Sequence, residues 1–367
     1  MPLFNDCPCD VLSVSERFAR LQRGESLDRV PILGFVCGYA ARLAGLPLKT
    51  FYTDTSAAIR VQRQARDLHG YDDGCHFGWA DWGAWEFGGE VAFPTRYRES
   101  CPRTGSHPVQ RPDDVDRLPT PDPATAGMLP LLAEVNRRIR ALNQPAKIQA
   151  GSPTLLAAAV AGKQNLLRWM LTAPEAVHEL YDKVTAFLIA AARQTVAAFG
   201  PENCSAGYSA ALDANELIGP DLFDTFVVPR LRKINQALLE MDVTAFHLHL
   251  CGDHGLNLPL WTALPWPPRM TISIGHTMNL TATAEAFGHR HIIAGNIDTR
   301  LLSHGSAADV AEDARRALAE GMTLPGGFIL MSGCEMPVLA PPLNVHALVA
   351  TGRTYGRYEK GSSRCRS

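Results

Sequence analysis

From residue 204 onward, short apolar stretches and amphipathic stretches alternate with one gap, between residues 251 and 270, and that alternation limits the fold more than any single motif. Residues 204–208, 245–251, 270–274, 291–294 and 328–331 have the length and side-chain character of strands. Residues 220–241, 283–287, 307–321 and 344–355 lie after or between them and read as helices. Strands that return to one sheet through helices must run parallel, because a two-residue hairpin cannot bring the chain back in the same direction.

The first half extends the pattern. Ser13-Val14-Ser15-Glu16 is a capping-box pattern opening a short amphipathic helix, and residues 29–36 read as a first buried strand with Pro31 at its start. Helices are expected over 55–68, 126–142, 163–171 and 174–199, with a short strand at 147–151. Strands centred near residues 32, 72, 148, 206, 247, 272, 292 and 329 predict an α/β fold, a (β/α)8 TIM barrel. The alternative is an open doubly wound sheet, but no Gly-rich phosphate loop or dinucleotide fingerprint opens a helix. The expected organisation is an N-terminal arm and helix over 1–29, a catalytic barrel over 30–358 with a long insertion after strand 2, and a flexible tail over 359–367.

Two stretches interrupt the alternation. Residues 70–91 carry Trp79, Trp82 and Trp85 three apart, a helical spacing, yet Gly74, Gly78, Gly83, Gly88 and Gly89 argue for loop. The rings either plug an irregular insertion or form a stacking wall at a pocket, with Trp82 the candidate substrate contact. Residues 99–125 are rich in Pro, Asp and Arg and read as a surface excursion.

A formal charge of -2 offers no general attraction to nucleic acid or anionic lipid. No apolar run is long enough to span a bilayer, and the first six residues lack a signal peptide's basic start, so a cytoplasmic location without membrane contact is expected. Nine cysteines, odd in number and irregular in spacing, do not make a disulfide framework in that compartment. Cys7, Cys9 and Cys365 read as incidental thiols and Cys204 as core, while Cys37, Cys75 and Cys101 stay open.

Chemistry concentrates in residues 246–252. Phe246, Leu248 and Leu250 alternate with His247, His249 and Cys251, so borderline and soft metal ligands share one face of a strand. Active sites of such barrels lie at the carboxyl ends of the strands, where Cys37, Gln149, Asp213, His249, Cys251, His276, Asn296, Asp298 and Cys334 all fall. His249, Cys251 and Cys334 make a three-ligand set that suits zinc. The 83-residue gap between the two cysteines is far too long for a zinc knuckle. Three protein ligands leave a fourth position open, where a substrate thiol would become a thiolate at neutral pH. His247 lies one step deeper and reads as lumen filler or support. Glu335 and Asp298 are the candidate catalytic carboxylates. Asp213, His276 and Asn296 are candidate substrate contacts, with strand-end capping and closure of a βα turn as the structural readings of His276, Asn296 and Asp298.

These residues resemble the uroporphyrinogen-decarboxylase-like superfamily, in particular its corrinoid-dependent methyltransferases. The resemblance covers residues 13–358 and is carried by Glu16-Arg17-Phe18 with Asp28-Arg29-Val30-Pro31, then Gly151-Ser152-Pro153-Thr154 and Ile218-Gly219-Pro220-Asp221-Leu222-Phe223. His249-Leu250-Cys251-Gly252, Gly295-Asn296-Ile297-Asp298 and Ser332-Gly333-Cys334-Glu335 complete it, and the His-x-Cys pair with a distant Cys is similar to the zinc site of methylcobamide:thiol methyltransferases. The resemblance implies zinc on His249, Cys251 and Cys334, and methyl transfer between a methylcobalamin-type corrinoid on a partner protein and a small thiol such as coenzyme M. It leaves open a donor-side enzyme that demethylates an aryl methyl ether, a decarboxylase, and a non-enzymatic corrinoid-partner binding protein. Where the decarboxylases carry an arginine-rich motif after strand one, this chain reads Cys37-Gly38-Tyr39-Ala40-Ala41-Arg42, with one arginine.

Overall fold

A computed structural model describes residues 10–358; the expectations for Cys7, Cys9, Cys365 and the tail lie outside the described residues. In chain order the strands are β1 (Ile32–Leu33), β2 (Glu90–Ala92), β3 (Arg103–Ser106), β4 (Ala146–Gln149), β5 (Cys204–Ser209), β6 (Phe246–Leu250), β7 (Thr271–Ile274), β8 (Ile292–Ile297) and β9 (Phe328–Ser332). Seven of them form one parallel sheet in the order β1-β9-β8-β7-β6-β5-β4, and β2 pairs antiparallel with β3 outside it. The helices fall close to the predicted spans, as at Thr55–His69, Ala307–Gly321 and Pro342–Tyr355. None is long and apolar enough to cross a membrane.

The expected eighth strand near residue 72 is the main correction. Residues 70–79 form no ladder, so no strand bridges β4 and β1. Side chains pin this segment beside both strands instead. Asp72 N–H donates to Ile32 O (2.7 Å) while its Oδ2 accepts from Ile32 N (2.9 Å). On the β4 side, Gln149 Nε2 donates to Phe77 O (3.3 Å), and Gln144 Oε1, just before β4, accepts from Cys75 N (2.9 Å). The reason is local: Gly70 and Gly78 sit at φ of 77° and 127°, outside any strand conformation, and short acidic side chains bond backbone groups that a ladder would otherwise use. The insertion that follows is less superficial than its composition suggests. Val109 and Val115 are fully buried, and Lys183 Nζ holds the carbonyls of Val115, Asp116 and Leu118.

The N-terminal helix, Val14–Arg23, begins with the predicted capping box, in which Glu16 accepts from Ser13 N and Ser13 Oγ from Glu16 N. A buried ion network fixes it to β1 and the segment that follows residue 70. Asp72 receives Arg17 Nη1 at 3.2 Å and Arg29 Nη1 at 2.6 Å, while Asp28 takes Arg17 Nε at 2.8 Å and Asp10 takes Arg29 Nη2 at 2.8 Å. Arg17 and Arg29 are 1% and 0% exposed, so each guanidinium depends on these carboxylates.

Burial along the sheet shows where a cavity lies. β7, β8 and β9 are buried at every position, whereas β4, β5 and β6 alternate between buried and half-buried residues. The half-buried set is Lys147, Gln149, Ser205, Gly207, Ser209, His247 and His249, and these face the interior space of the sheet rather than its helices.

Two predictions follow from the packing. Asp72→Ala leaves two buried guanidinium groups short of a partner, so unfolding free energy should drop by about 3–5 kcal/mol in urea titration; a loss under about 1 kcal/mol would show that other acids replace it. His69 and His291 are buried, and desolvation pushes both down to about 4. Unfolded histidine titrates near 6.5, so the unfolded chain gains protons first as pH falls. Their contribution is complete above about pH 6.5 and is lost on the way down to about 4, a trend that urea midpoints at pH 7.5 and pH 5 would reveal.

Candidate metal centre

β6 delivers the first ligands because its register is fixed on both sides: His249 lies opposite Ser209 of β5 and Ser273 of β7. A one-residue slip would send the histidines outward and Leu248 into the lumen. The chain turns just past the strand at Gly252, whose φ of 96° and close approach to Ala214 suit glycine alone and set Cys251 at the sheet's carboxyl end. Cys334 arrives from the loop after β9.

The nitrogen and sulfur atoms of His249, Cys251 and Cys334 all lie within 4.8 Å of one another. The two Sγ atoms are 3.8 Å apart. Two zinc–sulfur bonds of about 2.3 Å at a tetrahedral angle give a sulfur separation of about 3.8 Å, so the pair already has the spacing of a tetrahedral site. His249 Nε2 is buried with no hydrogen-bond partner, while its Nδ1 meets Ser273 Oγ at 2.9 Å. Ser273 Oγ also meets His247 Nε2 at 2.8 Å. Burial drives His247 down to about 3, so it is neutral. With His249 Nδ1–H donating to Ser273 Oγ and Ser273 O–H to His247 Nε2, the His249 Nε2 lone pair is left bare toward the sulfurs.

The sulfurs behave as a pair. The hydrogen bond from Cys334 pulls Cys251 down to about 7, and that bond together with burial pushes Cys334 up to about 12. Cys251 thus carries the thiolate of the pair more readily than Cys334, and metal binding would displace the remaining proton. His254, fully buried, accepts from Trp261 Nε1 and so presents its other nitrogen, Nε2–H, to Cys251 O at 3.2 Å, fixing the ligand's backbone. Burial lifts the Glu335 carboxyl to about 7 against an opposing hydrogen bond from Gly38 N–H at 3.3 Å.

Beneath the ligands lies a cavity of about 240 Å³. Its walls include His249, Cys334 and Glu335 at one end, with Phe35, Phe77, Trp79, Trp82 and Leu155 along the side and Lys147 among its polar members. Trp79 and Trp82 reach it from loop rather than helix, whereas Trp85 packs against Phe93 away from it.

The remaining expected residues are placed elsewhere. Asp213 is fully buried outside the cavity lining, and burial raises it to about 6 against opposing hydrogen bonds from Ser152 and Thr154. Asn296 spans Met278 O and Arg316, and Asp298 caps the helix Thr299–His304 while pairing with Arg300. His276 joins the same Arg300 at 3.2 Å. These three form a polar cluster beyond β7 and β8 that does not line the cavity. Ser273 and His254 were not singled out by sequence. Only the β6–β7 register reveals Ser273, and His254 looks like any histidine three residues past a cysteine.

The uroporphyrinogen decarboxylase (URO-D) family pattern matches residues 13–355. A methylcobamide:CoM methyltransferase MtbA of Methanosarcina acetivorans is 30% identical over 193 residues, 51% of each chain. A methylated-thiol–coenzyme M methyltransferase of Methanosarcina mazei is 24% identical over 54% of this chain and 50% of its own. The chain thus spans about half the length of the curated relatives it matches. A solved methyltransferase from Methanosarcina mazei shares the fold, with TM-score 0.75 and 20% identity over 94% of this chain and 99% of its own. Residues 13–355 therefore make this chain a member of the uroporphyrinogen decarboxylase (URO-D) family.

Proposed function

We propose that the protein is a corrinoid-dependent methyltransferase whose zinc site, His249, Cys251 and Cys334, activates a small-molecule thiol. The observation that carries this reading is the convergence of two sulfurs at 3.8 Å with the buried, unpartnered His249 Nε2. The names of the methyltransferase relatives support it. Bound there, zinc would supply the positive charge that favours thiolate over thiol at neutral pH. A separate corrinoid protein at the barrel mouth would carry the methyl group, and this chain would contribute positioning and nucleophile activation.

Each residue then has a task. Ser273 holds the His249 ring in its ligating tautomer, and His254 holds the Cys251 backbone. Glu335, half protonated near neutral pH, takes up the proton released by the thiol. Trp82 borders the substrate body, and Asp213, His276, Asn296 and Asp298 shape the loops around the mouth. A donor-side reaction on an aryl methyl ether is the second reading, favoured by the indoles of Trp79 and Trp82 in the cavity wall. Decarboxylation of a tetrapyrrole is poorly served. The cavity is smaller than those of drug-sized ligands, and Lys147 is the one lysine or arginine among its described lining residues. Arg42 instead donates to Ala340 O.

Metal analysis of the purified protein should find one zinc per chain, and Cys334→Ser should lose it with the fold intact by circular dichroism. Methylcobalamin absorbance should fall on adding an accepted thiol, whereas full activity in metal-free protein would sink the mechanism. Ser273→Ala should weaken zinc binding about 10- to 100-fold in competition with a chelator, since the ring loses the bond that orients it. Unchanged affinity would remove Ser273 from this role.

A further inference from the structure

Lys147 is left unexplained by methyl transfer at the metal end. It lies on the lumen face of β4, between the buried Ala146 and Ile148, and its side chain lines the cavity. Among the described residues its ammonium makes no ion pair and no hydrogen bond. Asp73 is the main negative charge acting on it, but that carboxylate is already taken. It accepts from His76 Nε2 at 2.7 Å, Phe35 N at 2.9 Å and Gly74 N at 2.7 Å. Desolvation lowers the lysine's pKa. An unpaired, partly desolvated cation is unfavourable for folding, and methionine would fill similar space without that cost. The position makes sense if the partner is a ligand.

Strand register sets the scale of that ligand. Lys147 pairs with Ser205 and His249 with Ser209, so the two levels differ by four residues of β5, about 13 Å along the strand. The lysine side chain covers part of that span, and the rest must be ligand. Along this stretch the walls are Phe77, Trp79 and Trp82, faces suited to a flat apolar body.

We propose that Lys147 is an anion subsite, binding the carboxylate of a small aromatic acid whose ring lies against Phe77, Trp79 and Trp82 and whose far end points to the His249–Cys251–Cys334 group. The identity of that far end as reacting sulfur or ether oxygen rests on the function proposed above; the anion subsite does not. Lys147 is a specificity residue in this arrangement, pairing with the substrate head and taking no part in bond making.

Isothermal titration with 4-methoxybenzoate, its neutral counterpart 4-methoxybenzyl alcohol, and propane-1-sulfonate tests the subsite, on protein as purified and after chelation. The wild type should bind the aromatic acid at least about tenfold more tightly than the alcohol, as one charge-assisted hydrogen bond is worth about 1.5–3 kcal/mol. Lys147→Met should abolish that preference while melting at or above the wild-type temperature, and Lys147→Arg should keep part of it. Equal affinity for acid and alcohol, absence of binding by any probe, or a preference that survives in Lys147→Met overturns the proposal. Propane-1-sulfonate binding as tightly as the aromatic acid overturns the aromatic body. Charge-dependent binding without methyl transfer would leave the subsite standing and remove the methyltransferase reading, whereas methyl transfer with a KM indifferent to substrate charge and to Lys147→Met would do the reverse.

Discussion

Much of the fold around β1 depends on Asp72. One carboxylate receives two buried guanidinium groups and the Ile32 N–H, and its own N–H meets Ile32 O. Where a closed sheet would place a strand, this chain places a coil whose backbone groups are satisfied piecemeal by acids and amides. Buried polar groups of this kind have to be satisfied completely or they cost stability. Here they join the N-terminal helix, β1 and the coil into one unit. The next residues along the coil, Asp73 to Trp82, are thereby held against the interior space.

The other determinant is the different use made of the two halves of the sheet. On β7, β8 and β9 every position is buried, and Ile292, Ala294, Ile329 and Met331 pack together as one apolar layer. On β4, β5 and β6 the lumen-facing positions are polar or small, and filling by neighbours is incomplete. The cavity is the outcome, and the ligand group lies at its upper end. Ser273 belongs to the packed half yet faces His249 across the β6–β7 boundary. In this way the rigid half of the sheet orients a ligand contributed by the open half.

How much of this could be read from residues alone follows from the range of the interactions. His249, Cys251 and Cys334 were legible because alternation along one strand and a shared strand-end location are local features. The capping box at Ser13 and the helices at Thr55–His69 and Ala307–Gly321 were legible for the same reason. The segment near residue 72 was misread as a strand because its aromatic and cysteine content resembles one, and its side-chain pins come from 40 and more residues away. Asp298 sits at a strand end like a catalytic acid, but its N-cap role depends on the helix turning there. Lys147 and Ser273 carry no motif at all. Their meaning arises from which strands lie beside them.

A wall made of coil has a consequence for how such a cavity diversifies. Strand residues answer to two neighbours and to a period of two, so exchanges there disturb register as well as shape. Between the Asp72 pins and the hairpin of β2 and β3, the chain answers mainly to its own anchors. Exchanges at Trp79 and Trp82 are therefore met by repacking of Tyr52, Phe77 and Phe187 rather than by a shift of strand register, and the His249–Cys251–Cys334 group keeps its geometry. The His249–Cys251–Cys334 group and much of the cavity wall are thus carried by separate stretches of the same chain, which lets the wall change shape through change confined to one segment.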